Sequence, residues 1–217
     1  RILFQTVARA IITDSQGTLE EQIDRHGPAD LLVPRLEPGR THRSVPLSIA
    51  ALPRRDLIFF NGLGGFTPDG REYVITTDQE NVTPAPWVNV SANPGFGALV
   101  SESGPSCTWS ENAREFRLTP WANDPVSDTS GEAFYIRDEE RGHFWSPTPL
   151  PSRGATPYAS RHGFGYTVFE HTERGIYSEM WVYAAMDAPI KLTVLKVRNE
   201  CGRSRRLSAT GYVEWVL

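Results

Sequence analysis

Cysteine is scarce in this chain. Its 217 residues include two, Cys107 and Cys201, with no CxxC pair and no metal-type spacing. That excludes a disulfide framework and a zinc knuckle, and it fits a reducing compartment. No apolar run approaches the about 18 residues that a membrane span requires, so no membrane contact is expected of this segment. No secretory leader is visible, and the first residue is Arg1 rather than Met, so the sequence reads as a processed piece of a longer protein. Basic residues are not in excess. Lys and Arg total 22 against 26 Asp and Glu, a formal net charge of −4, which argues against a general nucleic-acid binder. No repeat of fixed period appears. The glycines of residues 61–66, NGLGGF, are not a dinucleotide fingerprint, because the spacing is wrong and no βαβ context follows. They are expected to permit positive φ or close backbone approach.

What is present is a globular composition, 39% hydrophobic and 22% charged, long enough for one all-β domain with a sizeable core or for two small domains. Ile2, Leu3, Val7, Ala8, Ile11 and Ile12 fall near one helical face. Thr18-Leu19-Glu20-Glu21 reads as a capping box opening a short helix to about Arg25. Together they define an N-terminal helical segment, residues 1–26. Pro28, Pro34, Pro38, Pro46 and Pro53 recur among Arg35, Arg40, Arg43, Arg54 and Arg55, which excludes regular helix or central strand and marks residues 27–56 as a linker. Its arginines are solvated or meet an anionic partner.

From residue 57 onward short strands follow one another, expected at 57–60, 72–76, 88–91, 96–101, 107–110, 133–137, 143–145, 165–171, 176–183 and 189–199. Pro68-Asp69-Gly70 and residues 138–142 are turns, and Glu173-Arg174-Gly175 closes a hairpin. In residues 176–183, Ile176, Ser178, Met180 and Val182 share one face, and Tyr177, Glu179, Trp181 and Tyr183 the other. Alternation from Leu207 runs to Leu217 with no terminating turn, so residues 57–217 read as a domain cut short at its C-terminus. The fold class is all-β, an antiparallel two-layer β-sandwich with a short N-terminal helical segment. Trp87, Trp145, Trp181 and Trp215 are assigned to core packing. Asn81-Val82-Thr83 and Asn89-Val90-Ser91 match the glycosylation sequon, but with no leader both read as ordinary strand and loop residues.

The chemistry-bearing stretch is residues 101–125, SESGPSCTWSENAREFRLTPWANDP. It holds Trp109 and Trp121, the polar run Ser110, Glu111 and Asn112, and two arginines, Arg114 and Arg117. Aromatic faces beside hydrogen-bonding groups suit sugar rings, which have apolar C–H faces and a hydroxyl rim. A hairpin with core tryptophans and solvated charges carries the same composition. Arg114 and Arg117 are able to grip phosphate or sugar oxygens bidentately, or to pair across strands with Glu111 or Glu115. Glu102, Glu111, Glu115, Asp124 and Asp128 are carboxylates of the kind that serve as general acids. Arg161-His162 is a further candidate pair; a histidine titrates near neutrality, yet no nucleophile or metal cluster lies nearby in sequence.

The motifs FNGLGGF (60–66), DGREYVI (69–75), TPAPWVNV (83–90), NPGFG (93–97), VSESG (100–104), TWSENAREFRLTPWANDPVSD (108–128), YIRDEERGHFWSPTPLP (135–151), RHGFGYT (161–167) and YVEWVL (212–217) follow in an order that resembles glycoside hydrolase family 94. That family contains the cellobiose and chitobiose phosphorylases. Within it the chain is most similar to the phosphorylase-like part of cyclic β-1,2-glucan synthases, whose preceding segment residues 1–22 also resemble. The resemblance implies a supersandwich of the galactose-mutarotase-like type, ahead of a helical linker and an (α/α)6 barrel that holds the catalytic aspartate and the phosphate site. It implies no catalytic residue and no cofactor in this chain, with inorganic phosphate as co-substrate of the parent enzyme. The implied partners are a β-glucan oligosaccharide, the barrel and a second subunit. The implied location is cytoplasmic, within a parent that is an inner-membrane protein. Substrate-cleft or partner contacts would come from Trp109, Ser110, Glu111, Asn112, Arg114, Arg117 and Trp121. An autonomous carbohydrate-binding module and a purely structural or dimerisation domain are the alternative roles.

Overall fold

A computed structural model describes residues 12–15, 17–24, 55–122, 124, 126–127 and 129–216. They fall in two units, one ending at residue 45 and one beginning at residue 46. In the first, α1 (Leu19–Asp24) is opened by a reciprocal cap. The Glu21 N–H donates to Thr18 Oγ1 at 3.3 Å, and the Thr18 N–H donates to Glu21 Oε2 at 2.9 Å. The helix expected over residues 1–13 and the linker lie outside the described residues, apart from Ile12, Thr13 and residues 55–56.

Among its described residues the second unit has twelve strands: β1 (Gly64–Phe66), β2 (Glu72–Thr77), β3 (Val88–Asn93), β4 (Phe96–Ser101), β5 (Ser106–Ser110), β6 (Glu132–Asp138), β7 (Phe144–Trp145), β8 (Tyr158–Gly163), β9 (Tyr166–Glu173), β10 (Ile176–Ala184), β11 (Lys191–Asn199) and β12 (Leu207–Val213). One layer is a six-stranded sheet in the order β1-β2-β8-β9-β10-β11, antiparallel throughout. The other is made of two three-stranded sheets, β3-β4-β5 and β12-β6-β7. Residues 116–118 bridge these two, since Leu118 N–H donates to Thr108 O at 2.8 Å and Val216 N–H donates to Leu118 O at 2.9 Å. Val100 from β4 packs against Phe169, Met180 and Val182 of the six-stranded sheet, while Ile136 and Trp145 pack against Ile176. These contacts between layers make the sandwich.

Local chemistry accounts for the turns. Arg174 and Gly175 both take positive φ, 49° and 76°, as a two-residue hairpin loop requires. At Gly64 a Cβ would stand 2.8 Å from the Val74 carbonyl, so close backbone approach explains that glycine.

Four expectations are corrected. Residues 57–60 form no strand; Ile58 makes a lone bridge to Phe66, and Phe59 turns outward with φ of 52°. The final strand ends at Val213 instead of running on to 217. β8 was not among the expected strands, and it sits between β2 and β9 in the middle of the large sheet. Of the four tryptophans given to the core only Trp145 is fully buried; Trp87 and Trp181 are half-buried and Trp215 is exposed. The Asn89 amide of the second sequon is occupied, donating to the Gly163 and Tyr166 carbonyls at 2.9 and 2.8 Å.

Candidate functional site

At Ser110 the chain leaves β5, and at Arg117 it returns beside it. Ser110 N–H donates to Phe116 O at 2.9 Å, and Trp109 bridges Arg117. Between them Glu111 adopts φ of 57°, with its N–H on Gly95 O at 2.9 Å. The Asn112 side-chain oxygen then accepts the N–H groups of Arg114 and Glu115 at 3.1 and 2.8 Å. Such an Asx turn holds the backbone without a strand partner. The result is an ordered excursion in which Glu111, Asn112, Ala113, Arg114, Glu115 and Phe116 are all exposed.

The side chains divide accordingly. Trp109 lies half-buried across Gly97, where a Cβ would stand 2.3 Å from the indole. Arg117 is half-buried and donates to the carbonyls of Ala113 at 3.3 Å and Trp121 at 3.4 Å. Arg117 thus ties the base of the excursion to the Trp121 segment. Arg114 is 92% exposed and meets Glu115 at 3.4 Å, a solvated pair that holds it only weakly. Its guanidinium is free to meet an incoming anion or hydroxyl. Next to the excursion is an open concavity of about 420 Å³, walled by Ser110 and Glu111 on one side and Met186 and Pro189 on the other. Asn93 fixes its floor by donating to the Ala185 and Ala188 carbonyls at 2.8 and 2.9 Å.

Arg161 and His162 are neighbours on β8 and therefore point to opposite faces of the sheet. Arg161 bonds Glu72 at 2.5 Å and approaches Glu170 at 3.4 Å. Burial opposes its charge, but the Glu72 bond and the two carboxylates outweigh that and raise its pKa. His162 faces the other layer. Its Nδ1 meets Thr167 Oγ1 and its Nε2 the Trp87 carbonyl, both at 3.0 Å. Burial pushes its pKa down to about 4, so the ring is neutral and joins the layers.

The carboxylates are dispersed. Glu102 is buried and accepts the Trp87 N–H at 2.7 Å. Glu111 and Glu115 are exposed, and Asp128 lies outside the described residues. Asp124 is held below the usual carboxylate range by the Ser127 hydroxyl and the Val126 N–H. Among the described residues no group of three His, Cys, Asp or Glu side chains could hold a metal ion. Among them, too, no helix is long and apolar enough to cross a membrane.

Sequence reasoning did not find the Met186–Pro189 wall, which is brought to Ser110 by the Asn93 contacts. It also missed the outward aromatic row of β9 and β10. The signal was present in the alternation of Trp181 and Tyr183 with Met180 and Val182, but alternation alone does not say which face is inward.

Comparison with known proteins gives a consistent set of relatives. The sequence model of the glycosyl hydrolase 94 supersandwich domain matches residues 71–217. The cyclic beta-(1,2)-glucan synthase NdvB of Rhizobium meliloti is 35% identical over 225 residues, covering 98% of this chain and 8% of that protein. An N,N'-diacetylchitobiose phosphorylase of Vibrio furnissii is 29% identical over 155 residues, covering 70% of this chain and 19% of its own length. A solabiose phosphorylase of Paenibacillus borealis is 30% identical over 159 residues, 72% of this chain and 20% of that protein. The chain therefore spans a fifth or less of each of these relatives.

Proposed function

The chain belongs to the glycosyl hydrolase 94 supersandwich-domain family, and from that premise we propose that it is the non-catalytic sandwich of an enzyme that transfers or phosphorolyses β-glucosyl linkages. In this reading the domain shapes the substrate cleft and supports assembly. Its partners are a β-glucan oligosaccharide, a catalytic (α/α)6 barrel in the same protein and a second subunit. The parent takes inorganic phosphate as co-substrate and needs no cofactor, and its catalytic domains act in the cytoplasm.

The observation that carries the reading is the excursion from Glu111 to Phe116. An ordered loop whose arginine is 92% exposed beside a concavity of about 420 Å³ is suited to completing a neighbouring cleft. The chemistry supports the same division of labour. Inverting phosphorolysis needs one general acid near the leaving oxygen, with phosphate attacking from the opposite face. A carboxyl group in that role needs its pKa raised toward the working pH. Asp124, held ionised by its hydrogen bonds, is unsuited to it.

The test is turnover by the purified chain. Incubated with β-1,2-gluco-oligosaccharides and phosphate, it is expected to release neither sugar phosphate nor new reducing ends above the blank. Sustained release of either, abolished by substituting Glu111 or Glu115, would overturn the reading.

A further inference from the structure

The outer face of the six-stranded sheet carries aromatic side chains where a solvated strand face would carry small polar ones. Pairing places Tyr166 opposite Tyr183 and Val168 opposite Trp181, with Val194 on the other side of Trp181. The Tyr166 and Trp181 rings stack with centroids 5.3 Å apart and planes at 29°. Two polar groups lock the indole. Its Nε1–H donates to Glu179 Oε1 at 2.7 Å, and Lys196 Nζ reaches the same oxygen at 2.8 Å while lying 5.4 Å from the ring centroid. Tyr166 is held at its far end, where its hydroxyl donates to Glu72 at 2.8 Å. The aromatic surface is therefore rigid and rimmed by hydrogen-bonding groups.

These rings line an open cleft of about 610 Å³, within the range of about 300–1,000 Å³ that small-ligand sites span. Its lips are Phe164, in the β8–β9 turn, and Met186, in the loop after β10. They are 85% and 92% exposed, two of the most exposed large apolar side chains among the described residues. Met186 also walls the concavity beside Ser110 and Glu111. Met186 is thus the side chain common to this trough along the Trp181 face and to the concavity beside the excursion.

We propose that this trough is a binding site for a β-linked gluco-oligosaccharide, with Tyr166, Trp181 and Tyr183 as its aromatic floor, Phe164 and Met186 as its lips, and Lys196 as a hydroxyl partner. The inference rests on the carbohydrate reading above. A pyranose ring offers an apolar C–H face to an aromatic ring and a hydroxyl edge to a charged rim, and this site presents both. A purely apolar ligand would take water from the Lys196 ammonium and offer it no acceptor in return.

The experiment is a titration of the isotopically labelled chain with β-1,2-linked gluco-oligosaccharides, followed by amide and indole N–H resonances. Saturable shifts are expected at the Trp181 indole, at 164–166 and at 184–188. Phe164→Ala, in an exposed turn, and Trp181→Ala are each expected to weaken binding about tenfold. Because Trp181→Ala also removes the partner of Glu179, retention of the native amide spectrum is checked first, and Phe164→Ala decides if it is lost. Shifts confined to 109–121, with both variants binding normally, would overturn the trough while leaving the proposed function standing. No shift up to tens of millimolar sugar would also overturn it, and so would Phe164 and Met186 signals that change with protein concentration and not with sugar. Neither outcome touches the proposed function, which is judged by turnover.

Discussion

Lys191→Met is expected to destabilise the chain by about 3–5 kcal/mol, the loss that follows when one partner of a buried ion pair is removed. Lys191 stands on β11 in the six-stranded layer, and Glu132 on β6 in the other, with Nζ 2.5 Å from Oε2. Their side chains are 11% and 12% exposed. The Thr108 and Thr119 hydroxyls donate to Glu132 Oε1 at 2.6 and 2.7 Å, and Lys191 also bonds the Ser106 hydroxyl. Burial disfavours the Glu132 charge, but the Lys191 charge and these hydrogen bonds outweigh it and lower its pKa. Without Lys191 the carboxylate remains between the layers with two hydroxyls in place of a cation. Urea unfolding of the single variant and of Lys191→Met/Glu132→Leu separates the effects. The double variant is expected to recover much of the loss, because no unpaired charge remains. A single-variant loss under 1 kcal/mol would contradict the account.

His162 is expected to make the fold sensitive to mild acid. Its pKa is pushed from 6.5 down to about 4, chiefly by burial, so the folded state resists a proton that the unfolded chain accepts. The stability contributed by the neutral ring is complete above pH 6.5 and falls as pH drops toward about 4, where the difference levels off. Between pH 8 and pH 5 the loss is on the order of 2 kcal/mol. Acidic groups titrate in the lower part of this range as well, so the quantity to measure is the difference from His162→Gln. The glutamine amide keeps a donor for the Trp87 carbonyl and removes the titration. Its unfolding free energy should vary less with pH over this window than that of the parent. A ring titration midpoint near 6.5 in the folded chain would refute the claim.

Much of the sandwich was legible because its strands obey local rules. The Thr18–Glu21 cap and the Arg174-Gly175 loop depend on neighbouring residues alone, and β4 falls on residues 96–101, where a strand was expected. β8 was illegible for a physical reason. It carries Ser160, Arg161 and His162, which bond the Glu102 carbonyl, Glu72 and the Trp87 carbonyl, all remote in sequence. A central strand with polar residues on both faces shows no apolar period. Trp181 was misplaced because both faces of β10 are apolar enough to pass for the inner one. The candidate site was half legible. Composition singled out residues 109–121, but their exposure depends on the return of the chain at Arg117 and on the Asn93 contacts.

The central claim is that this domain contributes contacts and no chemistry to a β-glucosyl-transferring or phosphorolytic enzyme. It is tested most directly by steady-state kinetics of the full-length enzyme carrying Arg114→Ala. The account predicts a KM for the oligosaccharide raised by about 3- to 10-fold, with kcat within about twofold of the parent, the pattern of lost ground-state binding. A kcat lowered about a thousandfold with KM unchanged would place Arg114 in the chemical step and contradict the account.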